Sequence, residues 1–145
     1  MYKHLLVVTD RTPCSDKVIA DGMRFAKAIG AKITIFTAIS PWIGPEFSMV
    51  AQSDDTGGYA RIIEENVGRC LARGSAMATE AGVPCTTLSK NSEHPWKAII
   101  DAAASERCDL IIMASHGRSG FDAVLLGSET QKVLTHTRIP VLVHR

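Results

Sequence analysis

Short apolar runs that alternate with helical patterns are the feature that most constrains the fold of this chain. The runs cover residues 4–9, 32–39, 109–114 and 140–144, and a weaker one covers residues 84–89. A strand that is apolar without interruption needs cover on both faces, whereas a strand with one solvated face alternates. Strands that alternate with helices form parallel βαβ units with right-handed crossovers. The sequence therefore predicts an α/β fold with a doubly wound, five-stranded parallel sheet.

Local sequence signals indicate where the first two helices begin and end. Thr12 is a suitable N-cap for a helix with Pro13 at its first position, and Gly30 ends that helix. The longest helical pattern covers residues 59–81 and stops at Gly82. Between the second strand and this helix, residues 40–58 form a long irregular connection, of the kind that is often functional.

Two further helices follow the same logic. Ser92 is the predicted cap of the third helix, with Pro95 in its first turn. The last helix is predicted from Ser128 to about residue 137, because Ser128 and Gln131 fit the capping-box pattern S/T-x-x-E/Q.

The length, charge and cysteine content of the chain limit the classes of protein to which it can belong. The 145 residues favour one domain, residues 1–145. The formal net charge of +1 argues against nucleic acid or an anionic membrane as the main partner. No apolar run approaches the ~18–20 residues of a membrane helix, and no signal peptide is evident. The cysteines fit neither a Cys-x-x-Cys pair nor zinc-finger spacing, so we expect free thiols, no metal site and a cytoplasmic location. They are Cys14, Cys70, Cys85 and Cys108.

A glycine-containing loop follows the buried run at residues 109–113. It reads Met113-Ala114-Ser115-His116-Gly117-Arg118-Ser119-Gly120, and Gly127-Ser128 opens the last helix. A strand, a glycine loop and a helix N-terminus can together hold a phosphate group. In a doubly wound sheet ligands bind beyond the carboxyl ends of the strands, where Asp10 also lies. The pattern predicts a nucleotide site.

The spacing of this loop resembles a known family motif. The universal stress protein family carries the ATP-binding pattern G-x-x-G-x(9)-G-[ST], and here Gly117 is followed by nine residues and then Gly127-Ser128. Ala114 stands at the first glycine position and is the one departure. The resemblance covers nearly the full chain, from Val8-Thr9-Asp10 to the terminal apolar strand.

The resemblance implies several properties beyond the motif. It implies a flavodoxin-like, adenine nucleotide alpha hydrolase-like sheet of order 3-2-1-4-5 with a nucleotide between strands one and four. It also implies ATP as the ligand, with ADP or AMP as alternatives and Mg²⁺ as companion. A homodimer through strand five is implied as well, formed by Val141, Leu142 and Val143.

The motif and the resemblance together give twelve nucleotide-binding residues, without a catalytic residue or a metal ligand. Asp10 resembles an acid near the adenine and ribose, and Ala38 matches a position whose backbone meets the adenine. Turn formation by Asp10 and a core position for Met113 are open alternatives. The full set is Asp10, Ala38, Met113, Ala114, Ser115, His116, Gly117, Arg118, Gly120, Gly127, Ser128 and Glu129.

Other folds that bind nucleotides or accept a phosphoryl group match this sequence less well. A Rossmann site needs G-x-G-x-x-G after the first strand, and the Walker pattern G-x-x-x-x-G-K-[ST] is absent. A response-regulator receiver needs acids and a lysine that this chain lacks at the matching positions. The leading interpretation is a dimeric, ATP-binding regulatory module of a stress response. The alternatives are a slow ATP-hydrolysing enzyme and a dimer that binds no nucleotide because Ala114 blocks the loop.

Overall fold

A computed structural model of the chain describes residues 1–40, 56–115 and 126–145. The described residues form five strands and four helices around one sheet. In chain order these are β1 (His4–Val8), α1 (Pro13–Ile29), β2 (Lys32–Ile39), α2 (Thr56–Ala81), β3 (Cys85–Asn91), α3 (Pro95–Ser105), β4 (Leu110–Ala114), α4 (Ser128–His136) and β5 (Val141–His144). All pairings are parallel and the order is β3-β2-β1-β4-β5, so the predicted fold class is confirmed.

The sheet is covered on both faces, which explains the uninterrupted apolar runs. Leu5 and Val7 face one layer, in which α1 and α2 pack on the sheet. Leu6 and Phe36 face the opposite layer, which includes residues of α3 and Val133 of α4. Because neighbouring residues of a strand point to opposite faces, a strand buried on both sides has apolar residues at every position.

The carboxyl ends of the parallel strands meet at one edge of the sheet, and the strand order reverses between β1 and β4. The turn after β1, the end of β2 and the start of α4 lie at this edge. Helix α2 begins at Thr56, earlier than the predicted residue 59. Residues 41–55 of the predicted connection lie outside the described residues.

Two helix starts differ from the predicted caps. Thr12 occupies the N-cap position of α1 and Pro13 its first turn, but the Thr12 side chain caps no helical N–H. The N-cap of α3 is His94, so the prediction of Ser92 is wrong. Strand β3 continues to Asn91, and the Ser92 N–H donates to the carbonyl of Ile39 at 2.8 Å. Ser92 is therefore tied to the sheet through its backbone, while its Oγ accepts from the N–H of the N-cap residue His94 at 3.1 Å.

A buried polar chain crosses the opposite, amino edge of the sheet. His4 Nε2 lies 2.8 Å from Thr34 Oγ1, which lies 2.8 Å from Thr86 Oγ1. Burial, followed by the charge of Lys32, lowers the pKa of His4. Burial raises the pKa of the nearby Cys108 to about 12, so this thiol stays protonated. All four cysteines are free thiols. Among the described helices, none has the length and apolar character needed to span a membrane.

Candidate nucleotide site

The turn after β1 places Asp10 at the carboxyl edge of the sheet. Asp10 Oδ1 accepts hydrogen bonds from the Thr12 N–H at 3.0 Å and from the Thr12 hydroxyl at 2.5 Å. This is an Asx-type turn, which orients the carboxylate and leads the chain into α1. The local turn role and a ligand-facing role are compatible, because a carboxylate has two oxygens and accepts several hydrogen bonds.

Arg11 is a residue of this edge that the sequence reasoning did not select. Its φ of 65° lies in the left-handed region, and its N–H donates to Thr9 Oγ1 at 3.0 Å. Arg11 Nη1 donates to Thr37 Oγ1 at 2.7 Å and to the Ala38 carbonyl at 3.3 Å. The guanidinium group thus joins the end of β1 to the end of β2, beside the backbone of Ala38.

The end of β4 is pinned to the start of α4 by backbone contacts. The Ser115 N–H donates to the His144 carbonyl, and the Gly127 N–H donates to the Ser115 carbonyl, both at 2.7 Å. The Ala114 carbonyl accepts from Thr130 Oγ1 at 2.9 Å. The helix N-terminus is therefore held directly over the last residues of the strand.

Helix α4 begins at Ser128, as predicted, but its N-cap is Gly127 and not Ser128. Gly127 is the N-cap and Ser128 the first helical residue, since the Gly127 carbonyl accepts from the Gln131 N–H at 3.0 Å. Gln131 Nε2 donates to the Leu126 carbonyl, so the predicted reciprocal cap is wrong. Among the described residues no side-chain hydrogen bond caps the N-terminus of this helix, and Ser128 is exposed. The first N–H groups of a helix have no partner within the helix, so this N-terminus can bind an anion.

Two of the predicted site residues have contacts within the protein that serve its packing. Glu129 Oε2 accepts from the Trp96 N–H at 2.8 Å and so caps the first turn of α3. Met113 is buried in the layer that also contains Phe36 and Val133, in agreement with its alternative reading as a core residue. Their place in a ligand site stays a prediction.

The structure gathers most of the predicted site at one edge. Asp10 follows β1, Ala38 lies near the end of β2, and the remaining described residues lie at the end of β4 or the start of α4. These are Met113, Ala114, Ser115, Gly127, Ser128 and Glu129. His116, Gly117, Arg118 and Gly120 lie outside the described residues. Within the ranges that the structure describes, there is no group of three or more His, Cys, Asp or Glu able to hold a metal ion.

The 3-2-1-4-5 sheet with a strand–loop–helix crossover at its switch point defines a flavodoxin-like α/β domain. The Universal stress protein family model matches residues 1–145, and the chain belongs to this family.

Individual relatives agree with this assignment. A Thermus aquaticus protein, "Universal stress protein in QAH/OAS sulfhydrylase 3'region", is 29% identical over 152 residues that cover 100% of both chains. A solved universal stress protein in complex with cAMP has a TM-score of 0.70 and 23% identity, covering 99% of this chain and 97% of its own. The universal stress protein from Archaeoglobus fulgidus in complex with dAMP has a TM-score of 0.65 and 12% identity, covering 100% and 98%.

Proposed function

We propose that this protein is an ATP-binding regulatory module of a stress response, with ADP or AMP as alternative ligands and Mg²⁺ as the companion ion. The observation that carries the proposal is the N-terminus of α4, which is fixed over the end of β4 at the switch point and which no side chain of the described residues caps. The family members described with cAMP and dAMP support an adenine nucleotide as the ligand class. A cytoplasmic location stays a prediction.

The phosphates would lie against the first turn of α4. The backbone N–H groups of Ser128 and Glu129 are the donors that a phosphate needs there, and the helix dipole favours negative charge. His116, Gly117, Arg118 and Gly120 lie outside the described residues, and their part in binding the phosphates stays a prediction from the motif.

Ala114 is compatible with this arrangement. It lies in β4, paired with His144 of β5, and its side chain packs against the apolar layer formed with α1 and α2. Extended backbone suits any residue, so glycine is not required there for conformational reasons. The added methyl group faces the packed layer, so we expect it to leave the phosphate position open.

Ser128→Pro tests the phosphate site with little damage to the helix. Proline is favoured at the first helical position, and the Gly127 angles of φ −58° and ψ 150° suit a residue before proline. The substitution removes the Ser128 N–H and hydroxyl together. We expect ATP affinity, measured by equilibrium dialysis with Mg²⁺, to fall at least about tenfold, the effect of losing one hydrogen bond to a charged group.

Ser128→Ala is the matched control, because it removes the hydroxyl and keeps the N–H. We expect it to bind ATP more tightly than Ser128→Pro does. If wild-type protein binds ATP no better than Ser128→Pro, the nucleotide function is wrong. Circular dichroism of each variant verifies that α4 and the rest of the fold are intact.

We also propose a homodimer through β5. This strand is at the end of the sheet order, and Leu142 is 41% exposed on it. Edge strands with apolar side chains readily pair with another chain. Val141 and Val143 flank this exposed leucine and would extend the contact.

Leu142→Lys tests the dimer, because a charge at an apolar contact is costly unless it is paired. We expect sedimentation velocity at micromolar concentration to give a dimer for wild type and a monomer for Leu142→Lys. Ile29→Lys is the control, since Ile29 is 38% exposed and lies on α1. A wild-type monomer, or equal dissociation of both variants, contradicts an interface at β5.

A further inference from the structure

The guanidinium group of Arg11 occupies the space at the end of β2. It donates to the buried Thr37 hydroxyl at 2.7 Å and to the Ala38 carbonyl at 3.3 Å. The Arg11 backbone is held in the left-handed region at φ 65°, where a residue with a side chain is uncommon. The turn thus holds Arg11 in an unfavourable conformation and directs its side chain across the sheet edge.

The geometry of the sheet brings the base of a bound nucleotide to the same place. Neighbouring strands lie about 4.8 Å apart, so the end of β2 is about 10 Å from the end of β4, with β1 between them. If the phosphates lie at the N-terminus of α4, an extended nucleotide that crosses β1 has its base near the end of β2. Ala38 offers a backbone carbonyl there, and Arg11 already donates to it.

We infer that Arg11 sets the base selectivity of the site by competing with the adenine amino group for the Ala38 carbonyl. This inference rests on the proposed nucleotide function. A guanidinium group has donors only, so it opposes a base edge that carries an amino donor. Guanine presents O6 and N7 at the corresponding edge, and both accept hydrogen bonds from arginine. Arg11 therefore lowers the preference of the site for adenine over guanine nucleotides.

The test is the ratio of ATP affinity to GTP affinity, measured by equilibrium dialysis with Mg²⁺ for wild type and Arg11→Ala. Alanine is chosen because it also carries a Cβ, so the left-handed turn is as strained as before. We expect the ratio to rise about tenfold in Arg11→Ala, the effect of one hydrogen bond, with ATP bound more tightly and GTP more weakly. Lys17→Ala is the control, since it removes the same charge from an exposed position on α1, and its ratio should equal that of wild type.

Each other outcome has a defined meaning. An unchanged ratio in Arg11→Ala overturns the inference. An equal loss of ATP and GTP affinity also overturns it, because Arg11 would then act on the phosphates that both nucleotides share. Arg11→Met keeps an unbranched aliphatic side chain but has no hydrogen-bond donors, so it should raise the ATP-to-GTP affinity ratio as Arg11→Ala does. Agreement between the two variants shows that the rise does not come from a fold defect in the alanine variant. If wild type binds neither nucleotide, the proposed function itself fails, and that result differs from tight binding with an unchanged ratio.

Discussion

Phe36→Ala is expected to lower the free energy of unfolding by about 4 kcal/mol, within the range for deleting a fully buried aromatic ring. Phe36 is fully buried in β2, in the layer that includes Ile111 of β4 and Val133 of α4. Deleting the ring removes apolar burial and leaves a cavity that the surrounding strands cannot close. The Phe36 carbonyl also accepts from the Thr9 N–H at 2.9 Å, so the ends of β1 and β2 are joined at this residue.

Equilibrium unfolding in urea measures the change. Phe36→Leu keeps most of the volume and should cost less than the alanine variant. Leu134→Ala is the surface control, because Leu134 is 40% exposed on α4, and we expect it to change stability by less than about 1 kcal/mol. A Phe36→Ala protein within 1 kcal/mol of wild type would contradict a closely packed layer between the sheet and α3 and α4.

The fold could be predicted because strands that are buried on both faces of the sheet appear in the sequence as consecutive apolar residues. Most positions of a doubly covered strand are apolar, so the runs at β1 and β4 are visible without knowing their neighbours. Helix caps are less predictable, because they depend on which carbonyl accepts the first helical hydrogen bond. At α4 that carbonyl belongs to Gly127, and the serine that fits the capping pattern becomes the first helical residue instead.

The same distinction applies to the candidate site, where the positions of some residues could be predicted and the contacts of others could not. Asp10 and the Gly127–Ser128 pair could be predicted to lie at the same edge of the sheet, because parallel strands bring their carboxyl ends to one edge. The partners of long side chains could not be predicted in this way. Arg11 reaches Thr37, 26 residues away in the sequence, and Glu129 accepts from the N–H of Trp96, which lies 33 residues before it in the first turn of α3. Such contacts depend on how the layers pack, and no local pattern encodes them.

Substitutions at two glycines of α2 test the packing of the layer in which α1 and α2 cover the sheet. An added Cβ at the buried Gly74 would lie 2.5 Å from Ile35 Cδ1, and Ile35 is fully buried in β2. At Gly68, in the same helix, an added Cβ meets nothing within 4 Å. Overpacking by Gly74→Leu costs about 3 kcal/mol and better helix propensity returns about 0.8 kcal/mol, so we expect a net loss of about 2 kcal/mol.

Gly68→Leu is the matched control, since it makes the same substitution in an open position. We expect it to gain about 0.8 kcal/mol from helix propensity alone, so the two variants should shift the urea midpoint in opposite directions. If both variants shift the midpoint alike, α2 does not pack on Ile35 as described. The contact also bears on the candidate site, because Ile35 lies in β2, the strand that contains Thr37 and Ala38 near its carboxyl end. If Gly74→Leu displaces β2 while the protein stays folded, it should weaken nucleotide binding as well, whereas Gly68→Leu should leave binding unchanged.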